Sequence, residues 1–314
     1  MDLDRQRIEA SLRAAVETTD PQLTEIASHL IVAGGKRLRP VLATLAARTA
    51  NATTSDDVVL GGVACELVHL GSLYHDDVMD EAVMRRTVES VNARWGNLRA
   101  ILAGDFLLAR ASEIAASLGT EVAGLLARTI SRLCEGEISQ LRFAYDPSRP
   151  VDAYVESISG KTSSLFSSAC RIGGIVGGLP RDGVEALTSF GRAYGMVFQI
   201  ADDVLDLTAT EEQLGKPAGH DLVEGVYTLP VILTLAAGGP AADELGDLLG
   251  KPIDGAELDK ALAIVRSNGG VHEAIDAAQA YVGQAADALE PLGPSPARDA
   301  LVAGVEHLLS DLPA

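Results

Sequence analysis

Aromatic rings, cysteines and basic charge are all scarce in this 314-residue chain. Phe, Trp and Tyr together make up 4% of it, so a core built on stacked rings is excluded and small aliphatic side chains must do the packing. There are three cysteines, Cys65, Cys134 and Cys170. The odd count, the wide spacing and the absence of any CxxC or Cys/His pattern exclude a disulfide framework and a zinc site. Each cysteine sits in an apolar helical context, which predicts buried free thiols in a reducing compartment. Lys and Arg number 25 against 44 Asp and Glu, a formal net charge of −19. No general cationic field exists to attract nucleic acid. A phosphorylated ligand fits only where metal ions and a few local bases invert the field. Long apolar runs are missing too: Leu229 to Ala237 falls far short of the ~20 residues of a membrane span. The opening Met1-Asp2-Leu3-Asp4-Arg5 is acidic and has no apolar signal core. A soluble, cytoplasmic protein without a transmembrane segment is expected.

What is present is helical periodicity, nearly everywhere, and 47% hydrophobic residues, enough for a sizeable core. Convincing strand alternation is absent. Asp20-Pro21, Arg39-Pro40 and Ser295-Pro296 place Pro where a helix begins. Ser55-Asp56-Asp57 supplies a cap followed by acids in the first turn. Stops are Gly-rich: Gly34-Gly35, Gly177-Gly178 and Gly238-Gly239. Long helices are predicted near 55–80, 97–118, 120–144, 151–177 and 181–207, with the longest polar gap from Thr208 to Thr228. The fold class is all-α, about ten or more helices in a single domain over residues 1–314.

One five-residue pattern occurs twice, as Asp76-Asp77-Val78-Met79-Asp80 and Asp202-Asp203-Val204-Leu205-Asp206. The first and last acids of each share a helical face. Each cluster ends a long apolar helix, where acids oppose the helix dipole and repel one another. A bound divalent cation offsets both penalties. Hard oxygen ligands point to Mg²⁺, which keeps waters and bridges to substrate phosphates.

Bases stand where phosphates need them. Arg85-Arg86 follows the first cluster. Gly34-Gly35-Lys36-Arg37-Leu38-Arg39-Pro40 joins two glycines to three bases and a helix start, a combination suited to an anion. Gly160-Lys161-Thr162 interrupts a helix, and Gly215-Lys216-Pro217 follows the second cluster without the spacing of a Walker A loop.

With these motifs in this order, the chain resembles the trans-prenyltransferases, or polyprenyl diphosphate synthases, of the long-chain bacterial type. The resemblance rests on GGKRLRP at 34–40, ELVH at 66–69, HDDVMDEAVMRR at 75–86, GKT at 160–162, QIADDVLD at 199–206 and GKPAGHDLVEGVYTLP at 215–230. It covers a core of about 34–230, with a helical tail over 231–314. It implies the isoprenoid synthase class I fold, a helical bundle around a central cavity. It also implies about three Mg²⁺ ions per active site, ligated by Asp76, Asp80 and Asp202, with Asp77, Asp203 and Asp206 in support. By the same resemblance, Arg85, Lys161 and Lys216 bind the diphosphate of an allylic substrate. Lys36, Arg39, His69 and Arg86 bind that of isopentenyl diphosphate. Thr162 and Gln199 bring uncharged oxygen dipoles to a carbocation. His69 lies seven residues before Asp76, nearly two turns, and so shares its face. His75 has no independent role. The family often has Lys where this chain has His220 and Val226, which weakens one phosphate contact. A homodimer is the expected assembly.

Product length in this family is set by the residues four and five before the first Asp, here Ser72 and Gly71, both small. Together with His69, Cys65 and Gly62 they predict an open face and a long-chain product, of the kind used for quinone side chains. A bulky residue at Gly71 is then expected to shorten the product. Phe106, Phe143 and Phe166 are alternative floors. The rival readings are a geranylgeranyl diphosphate synthase, a class I terpene cyclase and a non-catalytic subunit of a heteromeric prenyltransferase. Primer preference, carbon number and pathway are not fixed by the sequence.

Overall fold

The computed structural model describes residues 2–50, 53–209, 218–310 and 312. It is helical almost throughout, in agreement with the periodicity. The helices are α1 (Asp2–Val16), α2 (Pro21–Val32), α3 (Leu38–Arg48), α4 (Asp56–Met79), α5 (Val91–Trp95), α6 (Asn97–Ser117), α7 (Thr120–Leu141), α8 (Val151–Ile158), α9 (Ser164–Val176) and α10 (Arg181–Thr208). They continue as α11 (His220–Val223), α12 (Leu229–Ala236), α13 (Pro240–Leu248), α14 (Gly255–Ser267), α15 (Gly270–Ala288) and α16 (Pro296–Glu306). Start signals act as expected. The Asp20 carboxylate accepts from the Gln22 and Leu23 amides at 2.9 and 3.2 Å, and Ser55 Oγ accepts from the Val58 amide.

Two compact units emerge. The first comprises Met1–Ile130, Leu165–Gly191 and Pro291–Leu301. Its core includes Ile8, Leu12, Leu30, Leu67, Leu70, Phe166 and Phe190, all fully buried. Tyr74 is buried here as well, and its hydroxyl donates to the Ile26 carbonyl at 2.7 Å, tying α4 to α2. The second unit comprises Ser131–Ser164, Arg192–Glu290 and Val302–Ala314. Its core joins Tyr154 and Ile158 of α8 to Met196, Ile200 and Val204 of α10, and then to α12, α14 and α15.

Three details depart from the sequence expectations. A two-residue hairpin exists, β1 (Met84–Arg85) against β2 (Val88–Glu89), antiparallel with Arg85 opposite Val88. Its turn residues, Arg86 and Thr87, have φ of 51° and 66°. Tight hairpin turns usually put Asn or Gly there, so no turn signal marked it. Second, α4 is 24 residues long and contains an 18-residue window with mean hydropathy 1.3, long and apolar enough by composition to span a membrane. That window is 72% buried within the fold, so α4 serves as a core helix. Third, Cys134 is exposed, whereas Cys65 and Cys170 are buried as expected.

The helix predicted over 151–177 is interrupted at Ser159–Ser163 by one π-helical turn that carries Lys161 and Thr162. Close approach explains it. A Cβ on Gly136 of α7 would lie 2.3 Å from the Lys161 backbone nitrogen, and one on Gly160 would lie 2.8 Å from the Arg132 carbonyl. Such π-turns concentrate at functional positions.

Candidate active site

In the first unit the end of α4 sorts the first acidic motif by exposure. Asp77 is fully buried, Asp76 is half-buried and Asp80, the C-cap, is exposed. A partly open stripe runs along α4 through His69, Ser72, Asp76 and Asp80. Eleven residue-to-residue rises of ~1.5 Å make it about 16 Å long. Asp77 faces away and accepts from Arg85 Nε at 2.7 Å and Nη2 at 2.6 Å. Burial pushes the Asp77 carboxyl up, and Arg85 opposes the shift. Asp77 therefore holds the hairpin base Arg85 and does not face the open side.

The open stripe stops at His69. Cys65 is fully buried, and a Cβ on Gly62 would sit 2.7 Å from Pro40 Cα, because α3 packs there. The long open face expected from Ser72 to Gly62 is thus closed at its far end. Gly71 is packed as well: a Cβ there would meet the Gly104 carbonyl at 3.1 Å and Leu108 Cγ at 3.2 Å, both on α6. Ser72 stays on the partly open face, with Oγ bonded to the His69 carbonyl. Phe166 is fully buried and lies under the Arg39 guanidinium, 4.4 Å from its centroid.

Bases converge around His69. Its imidazole is held well below the ordinary range by burial and by the fields of Arg39, Arg86, Arg85 and Arg37, so it is neutral at pH 7. Arg86 donates to the Leu30 carbonyl and to the Gly34 carbonyl, fastening the hairpin to the GGKRLRP turn. Lys36 is exposed on that turn. His75 rests on Gly104 of α6, with Nε2 3.2 Å from the Ile101 carbonyl.

In the second unit the sorting repeats. Asp202 is exposed, while Asp203 and Asp206 are buried. Tyr154 donates its hydroxyl proton to Asp203 Oδ2 at 2.6 Å, and Gln199 donates Nε2–H to Oδ1 at 2.7 Å. Thr162 Oγ1 donates to Gln199 Oε1 at 2.7 Å. Accepting from Nε2–H, Asp203 fixes the amide of Gln199 with its oxygen toward Thr162. Burial pushes the Asp203 carboxyl up to about 7, against the bonds from Tyr154 and Gln199. Asp206 accepts from the Asp221 amide at 3.2 Å, and its carbonyl accepts from the Gly219 amide, anchoring the chain as it returns. Lys161 pairs with Glu137 of α7 at 2.6 Å. His220 pairs with Glu224 one turn on. Lys216 lies outside the described residues.

Among the described residues no three His, Cys, Asp or Glu side chains converge tightly enough to hold an ion by themselves. The outward-facing acids Asp76, Asp80 and Asp202 are hard oxygen donors. Their chemistry fits Mg²⁺, which takes one or two carboxylates and completes its shell with water and phosphate oxygens.

The polyprenyl synthetase family model matches residues 20–265. The chain belongs to the polyprenyl synthetase family. Membership makes it an enzyme, a prenyltransferase of isoprenoid synthesis that forms polyprenyl diphosphates. Among its relatives is the nonaprenyl diphosphate synthase of Mycobacterium tuberculosis, 38% identical over 97% of this chain and 91% of that one. Another is heptaprenyl diphosphate synthase component 2 of Geobacillus stearothermophilus, 38% identical over 95% and 92%. In three dimensions it is similar to a decaprenyl diphosphate synthase from Rhodobacter capsulatus, with TM-score 0.93 and 33% identity over 100% and 97% of the chains. It also resembles a geranylgeranyl pyrophosphate synthase from Corynebacterium glutamicum complexed with calcium and isoprenyl diphosphate, with TM-score 0.88 and 35% identity over 100% and 96%. The expected fold is therefore the one observed.

Glu137, Tyr154 and Arg149 were not singled out from the sequence, and Arg37 and Glu66 stood within motifs without a role of their own. Each bonds or pairs with another side chain. Their side-chain partners lie 8 to 49 positions away, so no local pattern marks them.

Proposed function

We propose that this family member condenses an allylic diphosphate, farnesyl or geranylgeranyl, with successive isopentenyl diphosphates to give a long-chain trans-polyprenyl diphosphate. Residues 1–314 form one catalytic domain in this reading, a homodimer in the cytoplasm that serves quinone side-chain synthesis. Mg²⁺ held by Asp76, Asp80 and Asp202 would supply the positive charge that lets the allylic diphosphate depart. Arg85, Lys161 and Lys216 bind that same diphosphate. Lys36, Arg39, Arg86 and neutral His69 bind isopentenyl diphosphate and aim its alkene. Thr162 and Gln199, fixed by Asp203, turn oxygen dipoles toward the allylic carbon as it gains positive charge. Loss of a proton to the released diphosphate ends each five-carbon addition.

The long-chain reading is carried by one observation: Ser72, four residues before Asp76 on the partly open side of α4, is small. The likeness to nonaprenyl, heptaprenyl and decaprenyl synthases supports it. The likeness to the Corynebacterium enzyme supports the rival, a geranylgeranyl diphosphate synthase. The likeness to a component 2 keeps a heteromeric assembly as the third reading. The deciding experiment is chromatography of products made by the purified chain alone with Mg²⁺, isopentenyl diphosphate and either primer. Products beyond twenty carbons are expected. A product that stops at twenty carbons supports the rival. No condensation until another protein is added supports the heteromer.

A further inference from the structure

The GGKRLRP turn carries three bases, and two of them, Lys36 and Arg39, are assigned above to a diphosphate. The third, Arg37, has its guanidinium only 2% exposed. Nε donates to Glu9 Oε1 at 2.7 Å and Nη2 to Glu9 Oε2 at 3.4 Å. Nη2 also donates to the Ile31 carbonyl at 2.8 Å, and Nη1 donates to Glu66 Oε1 at 3.2 Å. One side chain thus joins α1, the end of α2 and α4. Its own backbone is left-handed, with φ 52° and ψ 39°. A non-glycine residue holds that conformation only when its surroundings over-determine it.

The neighbours explain why the turn needs such a fastening. Gly35 lies between two guanidiniums: a Cβ there would sit 2.8 Å from Arg86 Nη1 and 3.2 Å from Arg37 Nη1. Arg39, the second residue of α3, is buried over Phe166. Three arginines crowded at a turn repel one another. Glu9 and Glu66 offset the charge of Arg37 at close range, and Glu66 also favours the charged form of Arg86. Glu66 stands one turn before His69 on α4, so the same carboxylate that grips Arg37 fixes the turn relative to His69. Glu9 comes from α1, outside the residues 20–265 that the family model spans.

We infer that Arg37 is a positioning residue for isopentenyl diphosphate. Held by Glu9 and Glu66, it locks the left-handed turn that presents Lys36 and Arg39 beside Arg86 and His69. The N-terminal helix therefore contributes to substrate affinity without touching substrate. This inference rests on the assignment of that cluster to isopentenyl diphosphate.

The test compares wild type with Glu9→Gln, Arg37→Met and Arg37→Lys. Binding of isopentenyl diphosphate alone is measured by calorimetry, and KM is measured for each substrate separately. In Arg37→Met, affinity for isopentenyl diphosphate is expected to fall about tenfold or more, the scale of misplaced binding groups. KM for farnesyl diphosphate and kcat at saturation are expected to stay within about threefold, the signature of lost uniform binding. Arg37→Lys restores part of the affinity, and Glu9→Gln gives a smaller loss in the same direction. Glu9 is 35% exposed, so its variant keeps the test open if Arg37→Met does not fold. Equal loss for both substrates overturns the inference, as does a lowered melting temperature with unchanged isopentenyl diphosphate affinity. If wild type does not bind isopentenyl diphosphate, the assignment of the pocket fails and the inference fails with it. If wild type binds and Glu9→Gln and Arg37→Met bind as tightly, the inference alone fails.

Discussion

Each acidic motif is three aspartates with different physical states. Asp76, Asp80 and Asp202 reach the surface, while Asp77 and Asp203 are buried and each is spent on a partner. Removing an outward-facing acid removes a candidate metal ligand, so Asp76→Ala and Asp202→Ala are each expected to lower kcat by about a hundredfold or more in steady-state assays. Tyr154→Phe acts differently. It takes one donor from buried Asp203 and loosens the amide of Gln199. A loss of about 1–3 kcal/mol in thermal unfolding is expected, with a roughly tenfold fall in kcat and little change in either KM. His69 is held neutral in the fold. Its folded pKa is depressed, so below about 6.5 the unfolded chain takes up a proton that the folded one refuses, and stability falls as pH falls. His69→Gln removes this term. Its melting temperature should decline less between pH 6.5 and 5 than that of wild type. Its turnover should stay within about tenfold, since a neutral donor replaces a neutral donor.

Among the elements, α4 joins core packing to presentation of the site. The face that meets α3 and α6 is closed by Gly62 and Gly71, and the face through Ser72 is open. The two small residues expected to set product length therefore part company. Ser72→Phe is expected to shorten the product, read by chromatography, with the fold intact. Gly71→Phe drives a ring into the α6 backbone, and it is expected to destabilise the protein by about 1–3 kcal/mol or more in thermal melts. Shortened product from Gly71→Phe at unchanged stability would reverse this assignment. The helices themselves were legible because caps, prolines and apolar spacing act over four residues. The hairpin was not, because Arg86-Thr87 has no intrinsic turn preference. Its conformation is imposed by Arg86 bonding to Leu30 and Gly34, more than fifty positions earlier.

For the whole molecule, the large cores are apolar and need no metal. Val, Leu and Ile side chains buried in each unit contribute about 1.5–3 kcal/mol apiece. Chelation is therefore expected to abolish condensation while leaving the helical circular dichroism signal intact and the melting temperature within a few degrees. A large loss of helicity on chelation would make the metal structural.

The sequence by itself determined the all-helical class, the two acidic motifs, the surrounding bases and the family. Those properties reside in local order, in i, i+4 spacing and in ordered motifs. Only the tertiary structure decided which acids face outward, that Arg37 is tied to Glu9 and Glu66 while Arg39 lies over Phe166, and that Ser72 and Gly71 lie on different surfaces. Each of those outcomes depends on a partner far along the chain: Tyr154 for Asp203, Glu9 for Arg37, Gly104 for Gly71. Burial and pairing are relations between distant residues, and they exist only once the helices have packed.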